Sequence, residues 1–126
     1  MEAETRVQVA DVMSSPLETI STDATVQDAA RKMCDDEINA LVVTTHPPSI
    51  VTSTDVLQIA AEDRRASEVP VTEVMTDSVE TVPPDIYLEE VAAMLTTFEI
   101  KHLPVVNGDD DYVGMISSTD VTAQLS

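Results

Sequence analysis

The chain has 126 residues, of which 43% are hydrophobic, and its 24 Asp and Glu against 6 Lys and Arg give a formal net charge of −18. A surface this negative repels nucleic acid and anionic lipid, so neither is expected as a partner. The chain has no apolar run of about 18 residues and no basic, apolar N-terminal signal, which predicts a cytoplasmic globular domain without a membrane span.

The first half of the chain predicts a short strand, a helix, two strands and a second helix. Asp23 is a helix start signal, and the apolar residues after it recur at helical spacing. A turn at Pro47 and Pro48 separates the two middle strands. In chain order the segments are the strand Glu18–Ile20, the helix bearing Val26, Ala29, Ala30 and Met33, the strands Leu41–Val43 and Ser49–Thr52, and a helix starting near Ser53–Asp55.

The second half predicts the same five elements. Its helix start signal is Pro83-Pro84-Asp85, and Asn107-Gly108 marks a hairpin turn. The segments are the strand Glu80–Val82, the helix bearing Leu88, Val91, Ala92 and Leu95, the strands Leu103–Val106 and Tyr112–Ser117, and a helix starting near Ser118–Asp120.

This recurrence is an internal repeat. A shift of 62 residues aligns Val12-Met13 with Val74-Met75, and beyond a three-residue gap Ser53–Val56 aligns with Ser118–Val121. The predicted fold class is α+β, with two tandem β-α-β-β-α repeats packed sheet to sheet in pseudo-twofold symmetry and ligand clefts between them. The predicted boundaries are 9–64 for repeat 1, 65–72 for a linker and 73–126 for repeat 2.

Four segments carry a resemblance to a known family: Asp11–Met13 and Glu73–Met75 at the repeat starts, then Ile100–Val106 and Gly114–Asp120. In these residues, their order and their spacing, the chain resembles a pair of CBS domains, the module named after cystathionine β-synthase. The resemblance implies a non-catalytic regulatory module that binds AMP, ADP, ATP or S-adenosylmethionine and forms a homodimer. Because this chain shows no effector domain, it is expected either to act on an effector protein in trans or to be part of a longer polypeptide.

Each repeat has a Ser/Thr-x-x-Asp pattern at its last strand-to-helix junction, Thr52–Asp55 and Ser117–Asp120. The pattern is typical of a helix capping box, which needs no ligand. It also suits a nucleotide, because a helix N-terminus favours phosphate and a carboxylate accepts hydrogen bonds from ribose hydroxyls. Both interpretations stay open, since a capping residue can also bind a ligand.

The resemblance implies two ligand sites, each drawing on both repeats. Lys101 is the one basic residue at the matched positions, where repeat 1 has the neutral Asn39, so the site with Lys101 is expected to hold phosphate more tightly. The acidic surface disfavours ATP unless Mg²⁺ or salt assists. One site groups Ser14, Pro16, Ile38 and Asn39 with Ser117, Thr119 and Asp120, and the other groups Thr52, Thr54 and Asp55 with Thr76, Ser78, Ile100 and Lys101.

Some residues bear on other interpretations. Repeat 1 has Ser49 where repeat 2 has Gly114, and its hairpin is shorter, which favours a dimerising scaffold that has lost its ligand. Asp55 and Asp120 favour ligand binding instead. The chain has one cysteine, no metal-ligand spacing and no catalytic constellation, so neither a metal site nor an enzyme is expected, and His102 is expected at a cleft edge or on the surface.

The charge balance predicts a protein adapted to concentrated salt. Acidic side chains repel one another in the folded state, and salt screens them, with a Debye length of about 3 Å at 1 M. We therefore expect the melting temperature to rise between low and molar KCl, as measured by circular dichroism. A melting temperature that does not rise contradicts the prediction.

Overall fold

The computed structural model of the chain describes residues 6–15, 17–77 and 79–125. Its fold is the predicted α+β class, with tandem repeats of helices and short strands. In chain order the elements are α1 (Val9–Val12), β1 (Thr19–Ile20), α2 (Val26–Asp36), β2 (Ala40–Val43), β3 (Ser49–Thr52), α3 (Ser53–Ala61), a 3-10 helix (Ala66–Glu68), α4 (Val71–Val74), α5 (Leu88–Thr97), β4 (His102–Val106), β5 (Tyr112–Ser117) and α6 (Ser118–Leu125).

The strands form two small sheets, one from each repeat. In the first sheet β1 runs parallel to β2, and β2 pairs antiparallel with β3. In the second sheet β4 and β5 are antiparallel. The predicted strand at Glu80–Val82, a stretch that the structure describes in full, is wrong: Val82 forms only an isolated bridge to Val105. The reason is that Pro83 and Pro84 follow, and proline lacks the N–H that would extend a ladder.

Two helices begin later than their predicted start signals. The cap of α2 is Thr25 rather than Asp23: the Thr25 N–H donates to Asp28 Oδ2 at 2.9 Å, and the Asp28 N–H donates to Thr25 Oγ1 at 3.1 Å. The hydrogen bond from the Thr25 main chain lowers the pKa of Asp28. The cap of α5 is Tyr87, whose N–H donates to Glu90 Oε2 at 3.2 Å. Asp23 lies in the turn before α2 instead, because acids favour turns as well as caps.

The chain forms two compact units, and each combines most of one repeat with the segment in which the other repeat begins. Unit 1 consists of the described residues of 1–17 and 80–126, and unit 2 consists of those of 18–79. The segment in which repeat 1 begins therefore belongs to the unit of repeat 2, and the segment in which repeat 2 begins belongs to the unit of repeat 1. We call these segments, residues 6–15 and 69–77, the leading segments.

Each leading segment is held in its unit by main-chain hydrogen bonds and a buried valine. In unit 1 the Val9 N–H donates to the Ile86 carbonyl at 2.9 Å, and in unit 2 the Val71 N–H donates to the Ala24 carbonyl at 3.0 Å. Both valines are 0% exposed. Full burial of a valine contributes about 1.5–3 kcal/mol, whereas a single-turn helix is unstable by itself. Tertiary packing therefore holds α1 and α4 in place.

Each unit has its own core of aliphatic side chains. The helices α2 and α5 each bury one face, with Ala29 and Met33 on α2 and Val91 and Leu95 on α5 at i, i+4 spacing. The buried core residues are Val9, Val82, Leu88, Val91, Leu95, Leu103, Val105, Ile116 and Val121 in unit 1, and Ala29, Met33, Leu41, Val43, Val51 and Val71 in the largest cluster of unit 2.

Beyond its short helix, each leading segment pairs with the last strand of its unit. Ser14 and Met115 exchange two main-chain hydrogen bonds of 2.9 Å in unit 1. Thr76 and Ile50 exchange bonds of 2.8 and 3.0 Å in unit 2. These pairs bring Ser14 and Thr76 within two strand positions of the residues at which β5 and β3 end.

The close approach in unit 1 requires a glycine. A Cβ added at Gly114 would lie 2.5 Å from Met13 Sδ and 2.7 Å from the Ser14 carbonyl oxygen. Unit 2 has Ser49 at the corresponding position, where its buried hydroxyl lies 2.6 Å from Thr45 Oγ1. The hydrogen bond to Thr45 satisfies this hydroxyl, so the difference between the repeats does not leave a buried polar atom without a partner.

We expect Gly114→Ala to lower the free energy of unfolding by about 1–3 kcal/mol, because the added methyl group overpacks the leading segment of unit 1. The matched control is Gly108→Ala, since a Cβ at Gly108 meets nothing within 4 Å; its effect should stay within about 0.5 kcal/mol. Denaturant unfolding in molar KCl measures both variants. Equal stability of the two variants would contradict the close approach.

Candidate functional site

The Ser117–Asp120 pattern forms a reciprocal capping box where β5 meets α6. The Ser117 N–H donates to Asp120 Oδ2 at 2.9 Å, and the Asp120 N–H donates to Ser117 Oγ at 3.1 Å. Both residues are half-buried. The capping interpretation of this pattern is therefore confirmed in unit 1. We call this segment the unit 1 junction.

The Thr52–Asp55 pattern is arranged in the same way where β3 meets α3. The Thr52 N–H donates to Asp55 Oδ2 at 2.8 Å, and the Thr52 hydroxyl lies 3.2 Å from the same oxygen. Both residues are again half-buried. We call this segment the unit 2 junction.

Capping uses only one oxygen of each aspartate. In both junctions the hydrogen bonds go to Oδ2, and Oδ1 of Asp55 and of Asp120 accepts none from the residues that the structure describes. An ionised carboxylate has about four acceptor positions, so each aspartate keeps acceptor capacity for a ligand. The two interpretations of the pattern are thus compatible in the same residue.

Main-chain hydrogen bonds place one further residue at each junction. The Ser118 N–H donates to the Lys101 carbonyl at 2.9 Å in unit 1, and the Ser53 N–H donates to the Asn39 carbonyl at 2.9 Å in unit 2. The sequence grouped these residues the other way, with Lys101 beside Asp55 and Asn39 among the partners of Asp120. Because those groupings combine residues of different units, they stay predictions.

The other predicted site residues lie in varied surroundings. Two of them, Ser14 and Thr76, are exposed residues of the leading segments. Two others, Thr54 and Thr119, are exposed residues in the first turns of α3 and α6. Ile38 and Ile100 each follow a glutamate with left-handed backbone and pack against the core of their own unit. Pro16 and Ser78 lie outside the described residues.

His102 belongs to the unit 1 junction, although it is not among the predicted site residues. It is the direct partner of Ser117 in the β4–β5 register, and it is half-buried. Burial lowers the pKa of His102; the Asp120 carboxylate raises this pKa and the Lys101 ammonium lowers it. The corresponding partner of Thr52 in unit 2 is Ala40. His102 lies in the Ile100–Val106 segment that carries the family resemblance, but only the strand register places it opposite Ser117.

The described part of the chain has no group of three or more His, Cys, Asp or Glu side chains that could hold a metal ion. Among the described residues, no helix is long and apolar enough to cross a membrane.

Comparison with known proteins places the chain among CBS-domain proteins. The family model described as the CBS domain matches residues 9–62 and 71–126. A homoserine O-acetyltransferase of Methanohalobium evestigatum is 31% identical over 117 residues, which are 90% of this chain but 23% of that enzyme. The chain therefore spans about a quarter of the length of that relative.

Two solved structures have the same fold. The hexameric CBS-CP12 protein from bloom-forming cyanobacteria has a TM-score of 0.89 and 28% identity, and the match covers 97% of this chain and 74% of that one. The CBS domain pair of protein MJ0100, in complex with 5′-methylthioadenosine and S-adenosyl-L-methionine, has a TM-score of 0.83 and 25% identity, covering 96% of this chain and 97% of that one.

We expect the pKa of His102 to lie below the ordinary value of about 6.5. Asp120→Asn should lower this pKa further, because it removes the negative charge that favours the imidazolium, and Lys101→Gln should raise it. NMR titration of the His102 ring protons measures all three proteins. An unchanged pKa in both variants would contradict the arrangement of charges at the unit 1 junction.

The same shift links stability to pH. Because the pKa of His102 is lower in the folded than in the unfolded state, the unfolded state binds more protons in this range. The contribution of neutral His102 to the free energy of unfolding is complete above about pH 6.5, and it is lost as the pH falls through the folded-state pKa. His102→Gln should remove this part of the pH dependence in denaturant unfolding.

Proposed function

This chain belongs to the CBS-domain family, and from that premise we propose that it is a regulatory module that binds adenosine ligands at its two junctions and catalyses no reaction. The observation that carries the proposal is that Oδ1 of Asp55 and of Asp120, half-buried residues beside a helix N-terminus, accepts no hydrogen bond from any residue the structure describes. The ligands reported for the CBS domain pair of protein MJ0100, S-adenosyl-L-methionine and 5′-methylthioadenosine, support this ligand class.

The binding mode follows from the chemistry of the junction. The free carboxylate oxygen accepts hydrogen bonds from the ribose hydroxyls, while Oδ2 continues to cap the helix. The exposed hydroxyls of Thr54 and Thr119 lie in the same first turns and can donate to the sugar or phosphate. A phosphate at this end of the helix is favoured by the free N–H groups and the helix dipole. ATP, as the most highly charged candidate, requires Mg²⁺ or salt on so acidic a chain.

Regulation requires that the ligand favour one state of the module over another. A ligand that binds only the folded form stabilises it by RT ln(1 + [L]/Kd), about 2.7 kcal/mol at a hundred times Kd. An effector protein that binds the ligand-bound form and the free form of the module with different affinities would respond to this change in population. We propose that the effector is a separate protein or a further part of the same polypeptide.

A second candidate function is a self-associating scaffold. Two large apolar side chains, Leu57 on α3 and Phe98 after α5, are 67% and 49% exposed. Large exposed apolar side chains such as these are typical of a protein–protein interface. We propose a homodimer on this basis, and it is compatible with ligand binding.

We expect calorimetric titration to detect saturable binding of at least one ligand among AMP, ADP, ATP with and without Mg²⁺, 5′-methylthioadenosine and S-adenosylmethionine. Asp55→Asn or Asp120→Asn should weaken it tenfold or more, because a hydrogen bond to a charged group contributes about 1.5–3 kcal/mol. Asparagine keeps a carbonyl acceptor for the cap.

The matched control is Asp28→Asn. Asp28 forms the same kind of capping box with Thr25, but it caps α2 and belongs to neither junction. Its ligand affinity should equal that of the wild type. If no ligand binds, and light scattering still finds a dimer, the scaffold becomes the better function and the regulatory proposal is wrong.

A further inference from the structure

We propose that the two junctions take different adenosine ligands: the unit 1 junction binds one that carries a phosphate, and the unit 2 junction binds one without a phosphate. This inference rests on the proposed function, because it divides the ligand class between the two sites. It differs from the sequence expectation, which placed Lys101 with Asp55.

The unit 1 junction carries a cation that forms no ion pair with any carboxylate the structure describes. The Lys101 main chain accepts from the Ser118 N–H at the start of α6. Its exposed ammonium, like the Asp120 carboxylate, acts on the pKa of the His102 ring. Within the part of the chain that the structure describes, Lys101 forms no ion pair. An uncommitted ammonium is therefore available to a ligand phosphate.

An uncommitted cation is unusual in this chain because acids outnumber bases by 24 to 6. Among the described residues, four of the other five basic side chains form ion pairs with glutamates, and Arg31, like Lys101, forms none. The basic side chains in ion pairs are Arg6, Lys32, Arg64 and Arg65.

His102 adds a second nitrogen donor to the unit 1 junction. It lies opposite Ser117 across the β4–β5 ladder, so its ring is on the strand that flanks the capping serine. A phosphate bound beside the ring would stabilise the imidazolium and offset the burial that favours the neutral form. Phosphate binding and protonation of His102 are therefore expected to reinforce each other.

The unit 2 junction has neutral residues in the same two places. Asn39 accepts from the Ser53 N–H where unit 1 has Lys101, and Ala40 pairs with Thr52 where unit 1 has His102. Among the described residues 18–77, Lys32, Arg64 and Arg65 form ion pairs with glutamates of their own unit. A phosphate at this junction would face Asp55 without a cation at the two positions that Lys101 and His102 occupy in unit 1, whereas an uncharged 5′-thioether would not be repelled.

The test is titration of the full chain with two probes, AMP and 5′-methylthioadenosine. It is run at the lowest KCl concentration that keeps the chain folded, because salt screens the lysine–phosphate contact. We expect AMP binding to be lost in Asp120→Asn and retained in Asp55→Asn, with the opposite pattern for 5′-methylthioadenosine. AMP, but not 5′-methylthioadenosine, should raise the pKa of the His102 ring in NMR titration.

Two charge variants test whether the Lys101 ammonium itself contributes to AMP binding. Lys101→Gln should weaken AMP binding about tenfold, as expected for loss of a charged partner, and leave 5′-methylthioadenosine binding unchanged. The matched control is Lys32→Gln, which changes the net charge equally but removes a lysine already paired with Glu18.

In the Asp120→Asn background, Asn39→Lys should create AMP binding at the unit 2 junction.

The outcomes separate this inference from the function on which it rests. Equal AMP binding at both junctions, unaffected by Lys101→Gln, overturns the division of ligands but leaves an adenosine-binding module. If Lys32→Gln weakens AMP binding as much as Lys101→Gln does, the division of ligands is also overturned, because the effect would then come from the net charge of the chain. Absence of binding by either probe overturns both proposals.

Discussion

The pairing of each leading segment with the last strand of its unit is the interaction on which the rest of the structure depends. The sheets have only two or three strands, too few to be stable without cover, and their last strands would otherwise present an open edge. The exchange of hydrogen bonds between Ser14 and Met115, and between Thr76 and Ile50, covers part of that edge. The same pairing places Ser14 and Thr76 within two strand positions of the capping junctions. Stability and the candidate sites therefore share one set of contacts.

Each junction has one carboxylate that caps a helix and that we propose also binds a ligand. Asp55 and Asp120 cap their helices with Oδ2 and leave Oδ1 without a partner among the described residues. Capping fixes the orientation of the side chain before any ligand arrives, which reduces the entropy lost on binding. The capping box of α2 shows that this geometry is also used where no site is expected, because Asp28 is exposed and forms the same two hydrogen bonds with Thr25. Capping alone therefore does not indicate a ligand site, and the proposal depends also on the neighbouring strand residues.

Because the chain is so acidic, the positions of its few basic side chains show which of them only balance neighbouring carboxylates. Most of the basic side chains are engaged with glutamates of the same unit, so their positions reflect local compensation of charge. Lys101 forms no ion pair in the described part of the chain, and it lies next to a half-buried histidine whose pKa depends on Asp120. The two repeats have thus kept the same capping geometry while differing in charge at the residues around it. Such a difference allows one module to respond to two ligands.

The sequence by itself determined the repeat, the strands β3 and β5, the aliphatic cores and the two capping boxes, because these depend on spacing within a few residues. It also indicated Asp55 and Asp120 as candidate ligand-binding residues. Only the tertiary structure decided that Val82 bridges a single residue and that the main chain of Lys101 lies beside Ser118. It also decided that each leading segment belongs to the unit of the other repeat. These features depend on hydrogen bonds and burial between residues far apart in the chain, and local periodicity carries no information about such contacts.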